Sequence, residues 1–221
     1  MSRFLVALLL AFVALSAHAA TTAPAVPCGR PVMVFGDATV LGRGVTAPAT
    51  NGLVARLRLF FARICHENPA FEVFARDDGR FVDDVAGMRE KLGRKPGAVV
   101  FVHYPYADLA SGVSVDTLLD AYRQLAQTCR SSSAICIIGG QQPVDTLPSE
   151  IDVSQHELER RALAALGSMF LPLYRHFRSE AGGRRLMVPF DSGDGRLVND
   201  EGHEVLFELY RRRLLLERVD R

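Results

Sequence analysis

The sequence lacks the features that mark nucleic-acid-binding proteins, repeat proteins and multispan membrane proteins. It has no run of like charges, no internal repeat and no low-complexity segment, and 26 basic residues nearly balance 25 acidic ones. Charged arms and faces are what bind polyanions, so this balance argues against nucleic acid as the main partner. After the apolar start of the chain, no stretch is long enough to cross a bilayer, which predicts no transmembrane segment once that start is removed.

The first residues have the pattern of an exported protein. Arg3 is followed by the apolar run Phe4–Leu15 and then by Ser16–Ala19 (SAHA), which is typical of signal-peptide cleavage. A membrane anchor is the alternative, but about a dozen apolar residues is short for a span. No cysteine stands at the cleavage point, which argues against a lipoprotein. We predict a periplasmic or secreted protein with a signal peptide over 1–19, a flexible lead-in over 20–27 and one domain over 28–221.

The cysteine count points to disulfide bonds. Cys28, Cys65, Cys129 and Cys136 remain in the predicted mature chain. An even count in an exported protein predicts two disulfides, and four cysteines allow three pairings. None of the spacings matches a compact zinc site, so no metal is predicted.

Short runs rich in Val, Ile and Phe alternate with helical patterns. Such runs are typical of strands that are buried on both faces of a parallel sheet. The predicted strands are Pro31–Gly36, Phe71–Ala75, Ala98–His103, Ala134–Ile138 and Leu186–Phe190. Five strands separated by helices predict a single α/β domain, a doubly wound, flavodoxin-like three-layer sandwich with a five-stranded parallel sheet. Ligand sites in such sheets lie beyond the carboxyl ends of the strands.

Two of the intervening segments have clear helix periodicity. Apolar residues recur at helix spacing over Leu53–Ile64 and over Val115–Ala126, and Ser114 is in place to cap the second helix. We interpret these stripes as core positions and not as a cofactor site.

A long helical pattern follows the fourth predicted strand. Ser154 and Glu157 predict a capping box at its start, and Pro172 is expected to kink or divide it. The last helix is predicted to begin near Asn199 and to run to the end of the chain.

The predicted architecture selects one disulfide pairing. Cys28 precedes the first strand and Cys65 ends the helix after it, so a helix that returns antiparallel to its strand brings the two together. Cys129 ends a helix, and Cys136 lies in the strand that follows. We predict Cys28–Cys65 and Cys129–Cys136, with one reduced and buried pair as the alternative.

The residues after the first strand carry a family resemblance. The strand leads into Gly36-Asp37-Ala38-Thr39 and then Leu41-Gly42-Arg43-Gly44. This resembles the opening block of the SGNH (GDSL-type) hydrolases, G-D-S-x-[ST]-x-G-x-G, whose serine is the nucleophile. The resemblance implies the fold and the active-site position of an esterase. The serine position, however, holds Ala38, and a methyl group cannot attack a carbonyl carbon.

The second and third blocks of the family supply its oxyanion donors. Gly79, in the loop after the second strand, best matches the donor glycine of the second block. The third block, G-x-N-D, is matched at Asp108, but its glycine is Pro105 and its asparagine is Ala107. Alanine has no side-chain donor, and one missing oxyanion donor typically costs ~10²–10³ in rate.

The last block, D-x-x-H-x-N-x-x-G, falls at the start of the final helix. Asp194, Asn199 and Gly202 match it, but Leu197 occupies the histidine position. A leucine cannot accept the serine proton. Removing the nucleophile or the base of a serine protease costs about six orders of magnitude in turnover, so the resemblance implies a pseudoenzyme without catalytic residues.

Relocated catalytic groups are the first alternative. Asp200 and His203 form a literal D-x-x-H motif inside the last helix, and Thr39 places a hydroxyl one residue beyond the nucleophile position. These groups are the weak candidates for catalytic residues if the protein is an esterase or an acyl-transfer enzyme. Helix packing of His203, loop hydrogen bonding of Thr39 and a buried, hydrogen-bonded His103 are the competing interpretations.

We predict that the retained site binds a glycan, an acyl ester or other acylated ligand, or an envelope partner protein, without a cofactor. The predicted binding residues are Asp37, Thr39, Gly79, Tyr106, Asp108 and Asp194. A cluster of Asp37, Asp108 and Asp194 around a metal or a cationic group is a weaker possibility than caps for helices and loops. A structural component of an envelope complex, with Ala38 and Leu197 packed as an apolar plug, is the second alternative.

Overall fold

A computed structural model describes residues 26–66, 68–104, 106–179 and 185–216 of the chain. The predicted signal peptide, most of the lead-in and Pro105 lie outside these residues. Within the described part, no helix is both long and apolar enough to cross a membrane.

The middle layer is a parallel sheet of five strands. The strands are β1 Val32–Gly36, β2 Phe71–Ala75, β3 Val99–His103, β4 Ile135–Gly139 and β5 Phe170–Leu171. Their order, β2-β1-β3-β4-β5, and their parallel pairing confirm the predicted doubly wound α/β fold. Gly36 pairs with Ala75 on one side and with His103 on the other, so β1, β2 and β3 end at the same level.

Helices cover both faces of the sheet. They are α1 Pro48–Asn51, α2 Leu53–Cys65, α3 Phe81–Arg94, α4 Ala107–Ala110, α5 Val115–Ser131, α6 Ser149–Leu166, α7 Tyr174–Phe177 and α8 Asp200–Leu216. Side chains of β1 alternate between two cores, Met33 and Phe35 towards α3, α5 and α6, and Val32 and Val34 towards α2 and α8. This period of two is what a strand buried on both faces requires.

The prediction of the fifth strand at Leu186–Phe190 is wrong. Strand β5 is Phe170–Leu171, which pairs with Ile138 and Gly139 of β4. Two residues are too few to show a periodic pattern, and Pro172 ends the strand because it has no N–H to continue the pairing. Leu186 instead makes an isolated antiparallel bridge to Arg178, and 188–190 form a 3-10 turn.

The predicted start of α6 is also wrong. The helix begins at Ser149, and Ser154 lies inside it, where its hydroxyl donates to the Glu150 carbonyl at 2.9 Å. The helix ends at Leu166, and the 3-10 turn Gly167–Met169 and β5 separate it from α7. Pro172 lies in the segment that divides the two helices and does not kink either of them. Elsewhere the predicted caps agree with the structure. Ser114 accepts from the Thr117 N–H at 3.1 Å, and α8 begins at Asp200, one residue after Asn199.

Both predicted disulfides are confirmed. Cys28–Cys65 joins the segment before β1 to the end of α2, with Cα atoms 5.2 Å apart. Cys129–Cys136 joins α5 to β4, with Cα atoms 6.1 Å apart. In each case an element runs back antiparallel to its neighbour and brings the two ends together, as the sequence argument requires.

Gly36 lets the end of β1 lie close to β3 at the carboxyl edge. A Cβ atom there would lie 2.5 Å from the His103 carbonyl oxygen and 2.3 Å from Val40 Cγ2. We therefore expect Gly36→Ala to lower the free energy of unfolding by about 1–3 kcal/mol, as overpacking does. Chemical denaturation measures this change.

The matched control is Gly93→Ala on the exposed side of α3. A Cβ at Gly93 meets nothing within 4 Å, so this change should raise stability by up to ~1 kcal/mol through helix propensity alone. Equal effects of the two substitutions would contradict the close approach at Gly36.

Candidate functional site

The four sequence blocks meet at the carboxyl edge of the sheet. Gly79, in the loop after β2, lies against both the loop after β1 and the loop after β3. A Cβ on Gly79 would lie 3.1 Å from the Gly36 carbonyl oxygen and 3.2 Å from Cε1 of Tyr104. The second block is therefore in contact with the first and the third.

The loop before α8 closes this arrangement. Arg196 Nη2 donates to the Tyr106 hydroxyl at 2.5 Å, and its guanidinium carbon lies 5.2 Å from the Tyr106 ring centroid. On the other side, a Cβ on Gly44 would lie 3.1 Å from Leu197 Cβ. We call the loops after β1, β2 and β3, together with the loop before α8, the four-loop cluster.

The position of the family nucleophile lies in a tightly folded turn. Asp37 Oδ1 accepts from the Thr39 N–H at 2.9 Å, and the Ala38 carbonyl accepts from the Arg43 N–H at 2.9 Å. Ala38 is 8% exposed and Thr39 is fully buried. The Thr39 hydroxyl therefore points away from solvent.

Asp37, the carboxyl group of this turn, has a strongly shifted pKa. Its burial raises its pKa to about 7, while the hydrogen bond from the Thr39 backbone opposes the shift. Desolvation disfavours the charged form of an acid, so this carboxyl holds its proton at a much higher pH than an exposed aspartate does.

Asp108, in the short helix α4, caps the start of a different helix, α3. Its Oδ2 accepts from the Phe81 N–H at 2.9 Å, and its Oδ1 accepts from the Val82 N–H at 3.0 Å. Both oxygens thus serve the start of α3, whose first N–H groups have no partner within the helix. Burial raises the pKa of Asp108, and these two backbone bonds oppose it.

His203 caps a second helix. Its Nδ1 accepts from the N–H of Leu53, the first residue of α2, at 3.0 Å, and the ring is fully buried. The neutral ring therefore carries its proton on Nε2, an assignment that follows from this hydrogen bond. Burial lowers the pKa of His203 to about 4, so it is uncharged at neutral pH.

Asp200 belongs to a different contact from His203. Its carboxylate accepts from the Thr46 N–H at 3.0 Å and from the Thr46 hydroxyl at 2.5 Å. Within the D-x-x-H motif, Asp200 thus holds the loop before α1, whereas His203 holds the start of α2 and its Nδ1 is already occupied.

Asp194 shapes the loop that carries it. Its Oδ1 accepts from the N–H groups of Arg196 and Leu197, both at 2.8 Å, and from the Ser192 hydroxyl at 3.0 Å. Partial burial raises its pKa, but the backbone bonds outweigh that effect and the pKa is lowered.

The N–H of Gly79, at the matched oxyanion position, donates to the Arg76 carbonyl at 3.1 Å in a turn.

No group of three His, Cys, Asp or Glu side chains in the described part of the chain is arranged to hold a metal ion. The three aspartates considered for such a cluster each have the local partners described above.

Sequence reasoning did not identify the two glutamines that follow β4. Gln141 Nε2 donates to the Tyr104 carbonyl at 3.1 Å, and Gln142 Nε2 donates to the Arg196 carbonyl at 2.8 Å. Gln155 of α6 in turn donates to the Gln142 carbonyl at 2.7 Å. The sequence signal for these roles was the pair of glutamines that follows a buried strand and Gly139-Gly140. Such positions face the carboxyl edge of a parallel sheet.

Six buried side-chain atoms of the described residues have no partner that meets the distance and angle limits of a hydrogen bond. They are Thr39 Oγ1, His103 Nε2, Tyr122 Oη, Gln141 Oε1, Gln142 Oε1 and His203 Nε2. His103 Nδ1 does have a partner, the Tyr210 hydroxyl at 3.3 Å. Against the larger effect of burial, the Thr39 side chain nevertheless lowers the pKa of Asp37, Gln141 lowers that of Tyr122, and the Arg43 backbone raises that of His203, so these groups do have polar neighbours. Ordered water commonly satisfies buried polar atoms of this kind.

The two buried histidines predict a loss of stability in acid. Burial lowers the pKa of His103 to about 3 and that of His203 to about 4, from 6.5. As the pH falls below 6.5, the unfolded chain binds protons that the folded chain does not, so the free energy of unfolding falls. Asp37 acts in the opposite direction, because its raised pKa lets the folded chain hold a proton that the unfolded chain releases.

We expect His203→Asn, which keeps an acceptor for the Leu53 N–H, to flatten this dependence. The loss of one titrating group should reduce the slope by about 1.4 kcal/mol per pH unit between about pH 5 and 6. Asp37→Asn should make the slope steeper. Denaturant unfolding at several pH values measures both, and an unchanged slope in His203→Asn would contradict the buried, neutral histidine.

No protein-family model and no curated protein matches the chain.

Solved structures do match, over nearly the whole of their length. A lipase/acylhydrolase from Enterococcus faecalis has 16% identity and a TM-score of 0.64, over 85% of this chain and 96% of that one. A member of the lipolytic protein G-D-S-L family from Veillonella parvula has 17% identity and a TM-score of 0.61, over 83% and 97%. A GDSL-like lipase from Bacteroides thetaiotaomicron has 14% identity and a TM-score of 0.61, over 84% and 87%. The chain therefore has the α/β fold of the SGNH (GDSL-type) hydrolases, as the sequence blocks predict.

Proposed function

We propose that the protein is an exported pseudoenzyme with an SGNH hydrolase fold, which binds a ligand at the four-loop cluster without hydrolysing it. The observation that carries the proposal is which residues occupy three positions of the chain. Ala38, Ala107 and Leu197 stand where the family places its nucleophile, oxyanion donor and base, within one cluster of contacting loops. None of the three side chains can attack a carbonyl, donate a hydrogen bond or accept a proton.

Relocated catalysis is less well supported by the contacts. A base must accept a proton from the nucleophile, but Nδ1 of His203 accepts from a helix N–H instead. A nucleophile must reach substrate, but Thr39 is fully buried. Both groups act as parts of the scaffold.

A glycan is the ligand class that the site chemistry favours. Glycans present many hydroxyl groups, which hydrogen bond to exposed polar side chains directly or through water. The Tyr106 ring and the Arg196 guanidinium provide a flat polar surface at the exposed side of the cluster. An acylated ligand or an envelope partner protein remains the alternative ligand.

Export rests on the first residues and the cysteines. The signal-peptide pattern over 1–19 and two disulfides fit an oxidising compartment outside the cytoplasm. We propose the periplasm or the extracellular space as the location.

Purified mature protein should bind without turnover. We expect no hydrolysis of short acyl esters above buffer and a rise in melting temperature with an envelope glycan in a thermal-shift screen. Tyr106→Ala should weaken that binding at least tenfold, because it removes the flat surface. Arg160→Ala is the matched control, since Arg160 pairs with Glu157 on the outer face of α6.

The triple variant A38S/A107N/L197H tests whether the site is a hydrolase site without its residues. It restores nucleophile, donor and base in their own positions, so ester hydrolysis should rise above that of wild type and of Ala38→Ser alone. Turnover by the wild-type protein that disappears in folded His203→Asn would overturn the proposal. Absence of any thermal shift with glycans, acyl esters or envelope extracts would contradict the binding role.

A further inference from the structure

Strand β2 has backbone groups without a partner along one side. It lies at the edge of the sheet, and only its other side pairs with β1. Ala70 and Arg76, the residues just before and after the strand, hydrogen bond to β1 through the Ala70 carbonyl and the Arg76 N–H. Since alternate residues of a strand direct their backbone groups to opposite sides, the N–H and C=O groups of Phe71, Val73 and Ala75 point away from the sheet. Within the described residues, none of these three residues has a backbone partner on that side.

The edge has little that would keep a second strand away. Phe71–Ala75 contains no proline, and its pairing with β1 is unbroken. Proline and bulges are common means of blocking an edge, because exposed backbone groups are a template for another chain. On the α2 side, Phe71 and Leu59, which is 51% exposed, line a cavity of about 490 Å³ beside the strand. A strand added to β2 would cover part of this apolar surface.

On the other face of β2, Lys91 brings an unpaired cation to the edge. One face of the Phe74 ring stacks on Phe35 of β1, with centroids 5.0 Å apart and an interplanar angle of 19°. The Lys91 Nζ lies 4.4 Å from the Phe74 centroid, so it covers the remaining face, which points away from β1. Lys95 is paired with Glu72, whereas Lys91 has no acidic partner within the described residues. A carboxylate beside the outer face of Phe74 would complete an ion pair.

A second copy of β2, running antiparallel, matches the backbone groups of the edge. With a two-fold axis at Val73, the two Val73 residues exchange both of their backbone hydrogen bonds. Phe71 does the same with Ala75 of the other copy. All the N–H and C=O groups that point outward are then paired, because their arrangement is symmetric about Val73.

The same register also provides the missing carboxylate. It places Glu72 directly opposite Phe74 of the other copy, and side chains in such pairs have Cβ atoms roughly 5 Å apart. The Glu72 carboxylate thus reaches the Lys91 ammonium group that covers that ring. A peptide from another protein could pair with the same edge, but β2 itself carries an acidic residue at the position that Lys91 requires.

We propose that the protein forms a two-fold dimer through antiparallel pairing of two β2 strands, with Glu72–Lys91 ion pairs between the copies. The two sheets become one continuous sheet. The inference uses the unpaired edge, its symmetric donors and acceptors and the position of Lys91, and it does not depend on the proposed function of the four-loop cluster.

Sedimentation equilibrium of the disulfide-bonded mature protein, over a hundredfold range of concentration, tests the proposal. We expect a reversible equilibrium between monomer and dimer. Amide hydrogen exchange locates the interface. Exchange at Phe71, Val73 and Ala75 should slow as the dimer forms, whereas exchange at Glu72 and Phe74, which already donate to β1, should change much less.

Val73→Pro removes the N–H at the two-fold axis and no hydrogen bond to β1, and proline is tolerated at such positions of an edge strand. It should weaken dimerisation at least tenfold. Val73→Ala is the matched control, since it shortens the side chain but keeps the N–H, and it should dimerise nearly as the wild-type protein does.

A charge exchange tests the ion pair between the copies. Lys91→Glu and Glu72→Lys should each weaken dimerisation, because each places like charges opposite one another. The double variant E72K/K91E should dimerise at least tenfold more tightly than either single variant. Arg123→Glu, on the outer face of α5 and away from β2, makes the same change in net charge as Lys91→Glu and should have no effect.

Three results would overturn the proposal. They are a monomer at every concentration, a dimer that Val73→Pro leaves unchanged, and a double variant no tighter than the single variants. Protection of the β2 amides by an added acidic peptide, in a protein that stays monomeric, would equally exclude a second copy as the occupant. None of these results bears on whether the four-loop cluster hydrolyses esters.

Discussion

Helices that start at the carboxyl edge of a parallel sheet expose backbone N–H groups that no residue of the helix can satisfy. In this protein, side chains that are distant in sequence provide the acceptors for two such helices. Asp108 holds the start of α3 through both carboxylate oxygens, and His203 holds the start of α2 through Nδ1. Asp37 does the same for the turn after β1. Removing such an acceptor leaves a buried donor without a partner, which costs about 1–3 kcal/mol.

This requirement gives Asp37, Asp108 and His203 structural roles at the edge that are independent of catalysis. Three contacts hold the four-loop cluster together. Arg196 donates to the Tyr106 hydroxyl, and Gln142 donates to the Arg196 carbonyl. Arg43 and Asp77 form an ion pair with two hydrogen bonds, at 2.8 and 2.9 Å. None of these contacts needs a nucleophile or a base. The arrangement of these loops therefore does not depend on catalytic side chains, which is what the proposed function requires.

Much of the fold follows from local patterns, because strand periodicity and cysteine placement are properties of short segments. Strands β1 to β4, the Ser114 cap and both disulfides were predicted from the sequence. Strand β5 was not, because Phe170–Leu171 is too short to show a pattern, whereas the longer apolar run near Leu186 suggested a strand that does not form. The turns at Gly36 and Asp194 were placed at the right edge because their blocks follow a known order.

Long-range partners could not be predicted. The His203–Leu53 hydrogen bond joins residues 150 positions apart, and the Asp108 cap of α3 spans 27 and 26 positions. A histidine that accepts from a helix N–H has the same sequence signature as one that acts as a base, so only the three-dimensional contacts distinguish them. The roles of Gln141 and Gln142 likewise depend on which loops lie opposite β4.

The central claim is that the edge carries no reactive hydroxyl. Incubation of the mature protein with a phosphonate ester, followed by intact-mass measurement and peptide mapping, tests it most directly. The account predicts an unchanged mass for the wild-type protein and a single adduct at position 38 in A38S/A107N/L197H. An adduct on Thr39, or on any other hydroxyl of the wild-type four-loop cluster, would contradict it.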